Sequence, residues 1–540
     1  MAALLPWLPW LLAALLSVYL LDLLAHSRRR LPPGPRPLPL IGSLHLLGDR
    51  PHRSLAGLAK MYGPLMSLRL GAVTTVVVSS PDVAREFLQR HDAAFASRSV
   101  PDATGDHATN SVAWLPNSPR WRALRRIMAA ELFAPHRLDA LRRLRREKVQ
   151  ELVDHVARLA EREGGAAAVD VGRVAFATSL NLLSSTIFSR NLTSLDDHGE
   201  SMEFKEVVVE IMEAGGCPNV SDFFPAIAAA DLQGWRRRMA CLFARLHRVF
   251  DAVVEERLSE RDAGEARKGD FLDVLLDVAA RDNDSAGLDR DTLRAPPGAP
   301  AGRGATHLAV SRTRRSPPGH LHPSHSIPPS PLDLFAAGSD TSSSIVEWAI
   351  AELMRNPLCM IRACDELSQA IGSGTNIEES DIGQLPYLQA VVKETFRLHP
   401  PVPLLLPRQA ETTTNIAGYT IPKGARVFVN VWAIGRHKDT WSQPEKFMPE
   451  RFFERNIDFR GVHFELIPFG AGRRICPGLP LANRMVHLVL GSLLNQFKWN
   501  LPVDIERNGI DMSEKFGLTL VKAIPLCALV TPISVESGDH

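Results

Sequence analysis

The chain has 540 residues, of which 45% are hydrophobic and 23% are charged, so its composition is that of a globular protein. Its formal net charge of +2 provides no overall attraction for nucleic acid, and any basic partner surface must be local. The six scattered cysteines exclude a disulfide framework and the paired spacing of a zinc site, and they favour a reducing compartment.

The N-terminal segment is predicted to be a membrane anchor. Residues 2–21 carry no charge, and twenty such residues are enough to cross the hydrocarbon core as a helix. A cleaved signal peptide is the alternative, but no positive region precedes the run and no small-x-small cleavage site closes it. The arginines at 28–30 favour the cytosolic side for the rest of the chain. We therefore expect an anchor over residues 1–25 and a basic, proline-rich hinge over residues 26–40.

The remaining chain, residues 41–535, is predicted to be mainly helical with small β regions. A β-hairpin that turns near Gly71 is expected within residues 64–79, and Ser80 followed by Pro81 is typical of a helix start. A second β region is expected over residues 414–431. Apolar periodicity predicts helices that include residues 121–132, 137–159, 233–258 and 386–398.

One segment, residues 296–331, breaks this pattern. It is rich in proline, glycine, serine, arginine and histidine, and it contains no acidic residue. Such a stretch buries too little apolar surface to offset its ordering entropy, so it is predicted to be a disordered or loop-like insertion. Its four histidines could bind metal, but no structured frame supports them.

Two helical motifs carry polar residues. Trp121 and Arg125 lie four residues apart on one face of a predicted helix. The stretch AAGSDTSSS places Asp340 and Thr341 in an apolar helical pattern after Gly338, which is expected to weaken the helix locally. A carboxylate beside a hydroxyl can relay protons, whereas a Ser/Thr-rich helix surface is the alternative interpretation.

A third motif, KETFR, places Glu394 and Arg397 one helical turn apart, so the two side chains can join a buried ion pair. Arg451 in the later stretch PERF is the expected third member. On its own, the pattern E-x-x-R is most often a solvated helix pair. The order and context of the other motifs favour the buried interpretation.

The stretch FELIPFGAGRRICPGLPLA places Cys476 between glycine-rich backbone and the start of a helix. The glycines let the chain turn tightly and approach a flat macrocycle. Backbone N–H groups at the helix start, together with Arg474, are expected to stabilise a thiolate on Cys476. A buried structural cysteine would be the better interpretation if the residue stood alone.

This stretch resembles the haem-binding pattern F-x-x-G-x-R-x-C-x-G of the cytochrome P450 family. The fixed positions are Phe469, Gly472, Arg474, Cys476 and Gly478. The resemblance covers nearly the whole chain apart from residues 296–331. It implies the cytochrome P450 fold, a single large, mainly α domain with small β-sheets behind an N-terminal transmembrane helix.

The resemblance also implies a cofactor and residue roles. The cofactor is haem b, with the iron held by an axial thiolate from Cys476. Asp340 and Thr341 match the family's acid–alcohol pair, which manages protons. The residues that match haem-propionate contacts are Trp121, Arg125 and Arg408, and the structural ion pair is Glu394, Arg397 and Arg451.

The implied activity is a monooxygenase reaction that hydroxylates a small hydrophobic substrate with O2. In its detail, the sequence resembles the plant microsomal members of the family that oxidise terpenoids, the geraniol hydroxylase group. No dinucleotide-binding fingerprint follows a predicted strand, so the electrons are expected from a separate partner. The resemblance implies that this partner is NADPH-cytochrome P450 reductase. The resemblance places the protein in the endoplasmic reticulum membrane with its catalytic domain in the cytosol. A basic docking face is expected from Arg122, Arg126 and Arg473 together with the cluster Arg142, Arg143, Arg145 and Arg146. For that cluster, a solvated helix face is the alternative interpretation.

Two other function classes remain open. A haem-thiolate isomerase or dehydratase would need no reductase, although the presence of Thr341 favours the monooxygenase. An inactive haem-binding product is the second alternative, because residues 296–331 interrupt a helix that in the family extends well before Gly338. Ser330 and Pro331 would then begin a shortened helix with about two turns before that glycine. We hypothesise that the segment is translated intron or a splicing variant.

Overall fold

The computed structural model describes residues 30–162, 168–195, 200–284 and 331–533. The predicted anchor over residues 1–25 lies outside these ranges, and so does the predicted insertion except for its last residue, Pro331. Among the helices of the described ranges, none has the length and apolar character needed to span a bilayer.

The described residues are mainly helical, with several short strands, as the sequence predicts. The α-helices are α1 (Pro51–Tyr62), α2 (Pro81–Arg85), α3 (Pro119–Ile127), α4 (Pro135–Ala140), α5 (Arg142–Arg162), α6 (Val171–Phe188), α7 (Glu200–Gly216), α8 (Val220–Phe223), α9 (Trp235–Asp262), α10 (Phe271–Asp284), α11 (Pro331–Arg355), α12 (Pro357–Ala370), α13 (Pro386–Leu398), α14 (Val431–Ile434), α15 (Arg451–Glu454), α16 (Leu479–Gln496) and α17 (Val503–Asn508).

The strands form small sheets at the margins of the helical body. They are β1 (Leu65–Leu70), β2 (Val73–Val78), β3 (Ser97–Arg98), β4 (Ala168–Asp170), β5 (Arg408–Gln409), β6 (Thr414–Ile416), β7 (Tyr419–Ile421), β8 (Arg426–Val429), β9 (Phe497–Asn500), β10 (Glu514–Phe516), β11 (Leu520–Lys522) and β12 (Cys527–Pro532). The largest sheet has the order β1-β2-β8-β5-β3, in which only β2 and β8 are parallel. A three-stranded sheet has the order β4-β12-β9, and β6–β7 and β10–β11 are hairpins.

The predicted N-terminal hairpin is confirmed. Strands β1 and β2 pair from Leu65 with Val78 to Leu70 with Val73, and Gly71 occupies the turn with φ of +59°. Helix α2 begins at Pro81 as expected, although the Ser80 side chain makes no capping hydrogen bond. The predicted second β region divides in two, because β6 and β7 form their own hairpin while β8 joins the large sheet.

The prediction of one continuous helix over residues 137–159 is wrong. The chain breaks at Leu141, and α4 and α5 are separate helices. The Arg145 guanidinium donates to the Leu138 carbonyl at 2.5 Å, so a side chain of α5 satisfies a carbonyl at the C-terminal end of α4. The helix predicted over residues 121–132 starts two residues earlier, where the Ser118 hydroxyl accepts from the Trp121 N–H at 3.2 Å.

Helix α11 is the central element of the core. It packs along α6 and also contacts α13 and α16, and its Trp348 side chain is fully buried. Contrary to the expected local weakening, α11 is continuous through Gly338. A Cβ at that position would lie 2.8 Å from Leu183 Cδ1, so the glycine allows α11 to approach α6 closely.

The same helix carries a buried acidic residue that makes stability depend on pH. Burial raises the pKa of Glu347 to about 7, although its carboxylate accepts a hydrogen bond from the Leu526 N–H at 2.8 Å. The pKa of Glu347 is higher in the folded protein than in the unfolded chain. The folded state therefore loses stability as pH rises from about 4.5 to about 7.

We therefore expect Glu347→Gln to raise the free energy of unfolding at pH 8 by roughly 2 kcal/mol, and to have little effect near pH 4.5. Thermal denaturation of both proteins across this pH range, followed by circular dichroism, measures the difference. A constant difference between the two melting temperatures at all pH values would contradict the assignment.

Candidate active site

Cys476 lies in a turn directly before α16, and the local geometry requires a glycine four residues before it, at Gly472. The Cys476 N–H donates to the Phe469 carbonyl at 3.0 Å, which closes the turn. Gly472 has φ of +68°, and a Cβ there would lie 1.9 Å from the Leu88 carbonyl oxygen. A larger residue at Gly472 would displace the loop that carries the thiol.

The groups around the Cys476 thiol shift its pKa in opposite directions. Burial raises its pKa, whereas the N–H groups of Gly478 and Leu479 and the Arg125 guanidinium favour the thiolate. We expected Arg474 to supply the positive charge. The structure instead assigns that position to Arg125, which also donates to the Ile475 carbonyl at 2.8 Å.

Four arginine side chains gather beside this turn: Arg98, Arg125, Arg408 and Arg474. Arg408 and Arg474 are buried, and the other two are half-buried. Strands β3 and β5 place Arg98 directly opposite Arg408. Burial and the neighbouring guanidinium groups lower the pKa of Arg474 to about 9, and burial lowers the pKa of Arg408 to about 10.

The hydrogen bonds that these arginines donate within the described residues go to backbone carbonyls. Arg474 donates to the carbonyls of Ala96 and Leu115 at 2.6 Å, and its guanidinium stacks on Trp121 at 3.9 Å from the ring centroid. Arg408 donates to the Phe95 and Ala471 carbonyls, and Arg98 donates to those of Ala113 and Leu406. Within the described ranges, no carboxylate is hydrogen-bonded to any of the four.

Such a cluster destabilises the folded protein unless an anion binds to it. Like charges directly opposite each other on paired strands repel, and buried guanidinium groups without a counter-charge are strongly destabilising. A macrocycle that carries two carboxylates would supply the missing negative charge, and the thiol of Cys476 lies close to Arg125 of this cluster. The residues present therefore fit a haem bound through sulfur and through its propionates.

Sequence reasoning found Trp121, Arg125, Arg408 and Arg474 but missed Arg98. The dipeptide Ser97–Arg98 has no motif around it, and only its pairing with β5 brings it to the site. The Trp121 indole N–H donates to the Val112 carbonyl at 3.2 Å, which fixes the ring beneath Arg474.

We predict that Arg98→Gln will increase the rate of haem loss about tenfold, because a charge-assisted hydrogen bond contributes roughly 1.5–3 kcal/mol. Transfer of haem to an excess of apomyoglobin measures this rate. Arg90→Gln is the control, since Arg90 is an exposed arginine paired with Glu86. Equal rates in the wild-type and Arg98→Gln proteins would show that Arg98 does not bind the propionates.

Asp340 and Thr341 are neighbours on α11, but their side chains have different partners. The Thr341 hydroxyl donates to the Ala337 carbonyl at 2.6 Å in the same helix. The Asp340 carboxylate is buried and accepts from the Thr519 hydroxyl at 2.5 Å. Burial raises the pKa of Asp340, and the hydrogen bond from Thr519 opposes this rise. The carboxyl group therefore gains a proton more readily than an exposed aspartate does.

The predicted ion pair is buried and begins on α13, which carries Glu394 and Arg397. Glu394 accepts from Arg397 Nε at 2.7 Å and from Arg451 Nε at 3.0 Å. The Glu394 and Arg397 side chains are both fully buried. Arg397 also donates to the Gly435 and Pro444 carbonyls at 2.6 Å, so the group joins α13 to the segment around α14 and α15.

The expected basic docking face is only partly available. Arg145 is fully buried and paired with Glu379, which excludes it from any partner surface. Arg142, Arg143 and Arg146 are exposed, as the solvated interpretation predicts, and each also pairs with a carboxylate of the same chain. The other paired members are Arg142 with Asp139, Arg143 with Glu147, Arg146 with Glu378 and Arg473 with Asp92. Arg122 and Arg126 on α3 remain exposed.

Comparison with known proteins places the chain in a family. The family model described as Cytochrome P450 matches residues 32–296 and 325–525. The chain is 48% identical over 524 residues to a geraniol 8-hydroxylase of Catharanthus roseus, which covers 96% of this chain and 97% of that protein. It is 47% identical to a geraniol 8-hydroxylase of Swertia mussotii, over 95% of this chain and 96% of the relative.

A geranylhydroquinone 3''-hydroxylase of Arnebia euchroma is 43% identical over 529 residues, covering 97% of this chain and 99% of that protein. Enzymes of this family use haem with an axial cysteine thiolate, which agrees with the arginine cluster and the cysteine turn. The chain belongs to the cytochrome P450 family and is a monooxygenase.

Proposed function

We propose that this monooxygenase hydroxylates a small terpenoid alcohol of the geraniol type, with electrons from NADPH-cytochrome P450 reductase. The arrangement of unpaired arginines around the Cys476 turn is the observation that carries the haem assignment. The chain aligns with nearly the full length of two geraniol 8-hydroxylases, and this similarity supports a terpenoid alcohol as the substrate class. The overall reaction consumes O2, two electrons and two protons, inserts one oxygen atom into a C–H bond and releases the other as water.

Cys476 would hold the iron, and Arg98, Arg125, Arg408 and Arg474 would hold the propionates. The bound haem supplies the one-electron and oxygen chemistry, which side chains alone cannot perform. With haem bound, the Cys476 thiolate would donate electron density to the iron, and the N–H groups of Gly478 and Leu479 favour the ionised sulfur against the effect of burial.

Protons would reach the site through α11. The Asp340 carboxyl group is buried beside Thr519, and burial raises its pKa, which favours a group that can accept and release a proton. The Thr341 hydroxyl donates to the Ala337 carbonyl, and beside that carbonyl it can hold a proton or a water molecule. Asp340 and Thr341 thus have complementary roles as acid and alcohol.

The electron partner would dock on a cationic surface, and the exposed Arg122 and Arg126 are the best placed members of the expected face. We also propose that residues 1–25 anchor the protein in the endoplasmic reticulum membrane and that residues 26–40 link the anchor to the catalytic domain. Steady-state turnover that is independent of added salt would argue against docking through charge.

The segment over residues 296–331 bears on whether this form is active. The family model leaves residues 297–324 unmatched. This gap supports the proposal that the segment is translated intron or a splicing variant. Sequencing the transcript decides this, because a message without the segment supports the proposal and a dominant message with it refutes it.

Reconstitution tests the proposed function directly. Purified protein, reductase and NADPH are incubated with geraniol and other mono- and diterpenes, and products are identified by mass spectrometry. We expect hydroxylated product only when both reductase and NADPH are present. Turnover without either would favour an isomerase or dehydratase. A normal thiolate-type spectrum without turnover of any terpenoid would favour an inactive haem-binding product.

A further inference from the structure

The hairpin β10–β11 contacts two helices, α7 and α11. At its tip, the Leu518 N–H donates to the Met212 carbonyl on α7 at 2.7 Å. A Cβ on Gly216 of α7 would lie 2.0 Å from the Gly517 carbonyl carbon, so only glycine allows this approach. Lys515 also pairs with Glu213 of the same helix. The tip is therefore fixed against α7.

The other side of the hairpin contacts α11. The Thr519 hydroxyl donates to Asp340 Oδ2 at 2.5 Å, and the Ser344 hydroxyl donates to the Leu520 carbonyl at 3.2 Å. The Leu520 N–H in turn donates to the Pro401 carbonyl at 2.7 Å. Asp340 and Thr519 are 7% and 3% exposed, so water does not compete freely for their hydrogen bond.

The charges that face Asp340 come from α7. Lys205 favours its ionised form and Glu213 disfavours it, while burial is the strongest influence and raises its pKa. Thr519 is the residue whose side chain is hydrogen-bonded to the Asp340 carboxylate. The direction of this carboxyl group is thus set by a hairpin residue that lies 179 positions away in the chain.

We propose that Thr519 is a positioning residue for proton delivery, which holds the Asp340 carboxyl group and links its orientation to α7. This inference rests on the proposed monooxygenase function. Its functional consequence is how the electrons from NADPH are divided between product formation and H2O2. Correct delivery of two protons gives product and water, whereas failed delivery lets O2, two electrons and two protons leave as H2O2.

Thr519→Val removes the hydroxyl and keeps the branched shape, and Thr519→Ser keeps the hydroxyl. We expect the valine variant to form about fivefold less product per NADPH, because one hydrogen bond contributes roughly 1 kcal/mol, with a matching rise in H2O2. The serine variant should recover most of the coupling. In the Asp340→Asn background, Thr519→Val should cause no further loss, since Thr519 acts through Asp340.

Ser344→Ala is the matched control. It removes another hydrogen bond between α11 and the same hairpin but leaves Asp340 untouched. Equal uncoupling in Ser344→Ala and Thr519→Val would show that general loosening of the hairpin is responsible. Unchanged coupling in Thr519→Val, or a further loss in the Asp340→Asn background, would also overturn the proposal.

A second measurement does not depend on turnover. Infrared difference spectra between each protein and its Asp340→Asn counterpart isolate the Asp340 carboxyl band, which is followed as a function of pH. Because the Thr519 hydroxyl donates to the ionised form, its loss in Thr519→Val should raise the pH of half-protonation by about one pH unit, whereas Thr519→Ser should not. If the wild type turns over no terpenoid, the proposed function fails, and this titration still tests the role of Thr519.

Discussion

Glu394→Gln is expected to prevent stable folding of the catalytic domain, with a loss of about 3–5 kcal/mol in the free energy of unfolding. The carboxylate accepts hydrogen bonds from Arg397, Arg451 and the Met448 N–H, at distances from 2.7 to 3.0 Å. Without it, two guanidinium groups lie side by side in a fully buried position without a counter-charge. An amide of the same shape cannot replace that charge.

The yield of soluble protein and its melting temperature by circular dichroism measure this effect. Glu147→Gln is the control, because Glu147 also pairs with an arginine, Arg143, but on the exposed face of α5. The control should resemble the wild type. If Glu394→Gln accumulates and melts as the wild type does, the ion pair is not the structural element that we describe.

Motifs that are contiguous in the sequence were predictable, because local chemistry determines them. Helix α13 runs from Pro386 to Leu398 as predicted, since proline favours the first helical turn and the prolines at 400–401 stop the helix. The hairpin around Gly71 was predictable for the same reason. The cysteine turn contains its own glycines, so the sequence carries most of its geometry.

Residues that reach the site through tertiary pairing were not predictable from the sequence. Arg98 belongs to a two-residue strand whose partner lies some 310 positions further along the chain. Thr519 sits in a short hairpin with no recognisable motif, and its role depends on contact with α11. Arg145 was misread because a run of arginines looks solvated, although its side chain is buried against Glu379.

Cys476→Ser is expected to abolish monooxygenase turnover, because a serine hydroxyl is far less acidic than a thiol and is a poor electron donor to iron. The replacement keeps the size of the side chain, so the turn closed by the Cys476 N–H and the Phe469 carbonyl should persist. The arginine cluster is also unchanged. Haem can therefore still enter the site, and the loss should be electronic rather than structural.

Cys241→Ser is the matched control, since Cys241 is an exposed cysteine on α9, far along the chain from the cysteine turn. Circular dichroism should show the same helix content in all three proteins. The control should keep wild-type haem content and turnover with reductase, NADPH and geraniol. Loss of activity in Cys241→Ser would show that cysteine replacement itself damages the enzyme.

The absorption spectrum of the reduced carbon monoxide complex tests the central claim most directly. We predict the long-wavelength band of a thiolate-bound haem for the wild type and for Cys241→Ser, and its complete loss in Cys476→Ser. A thiolate-type band of unchanged position and intensity in Cys476→Ser would contradict the assignment of Cys476 as the iron ligand.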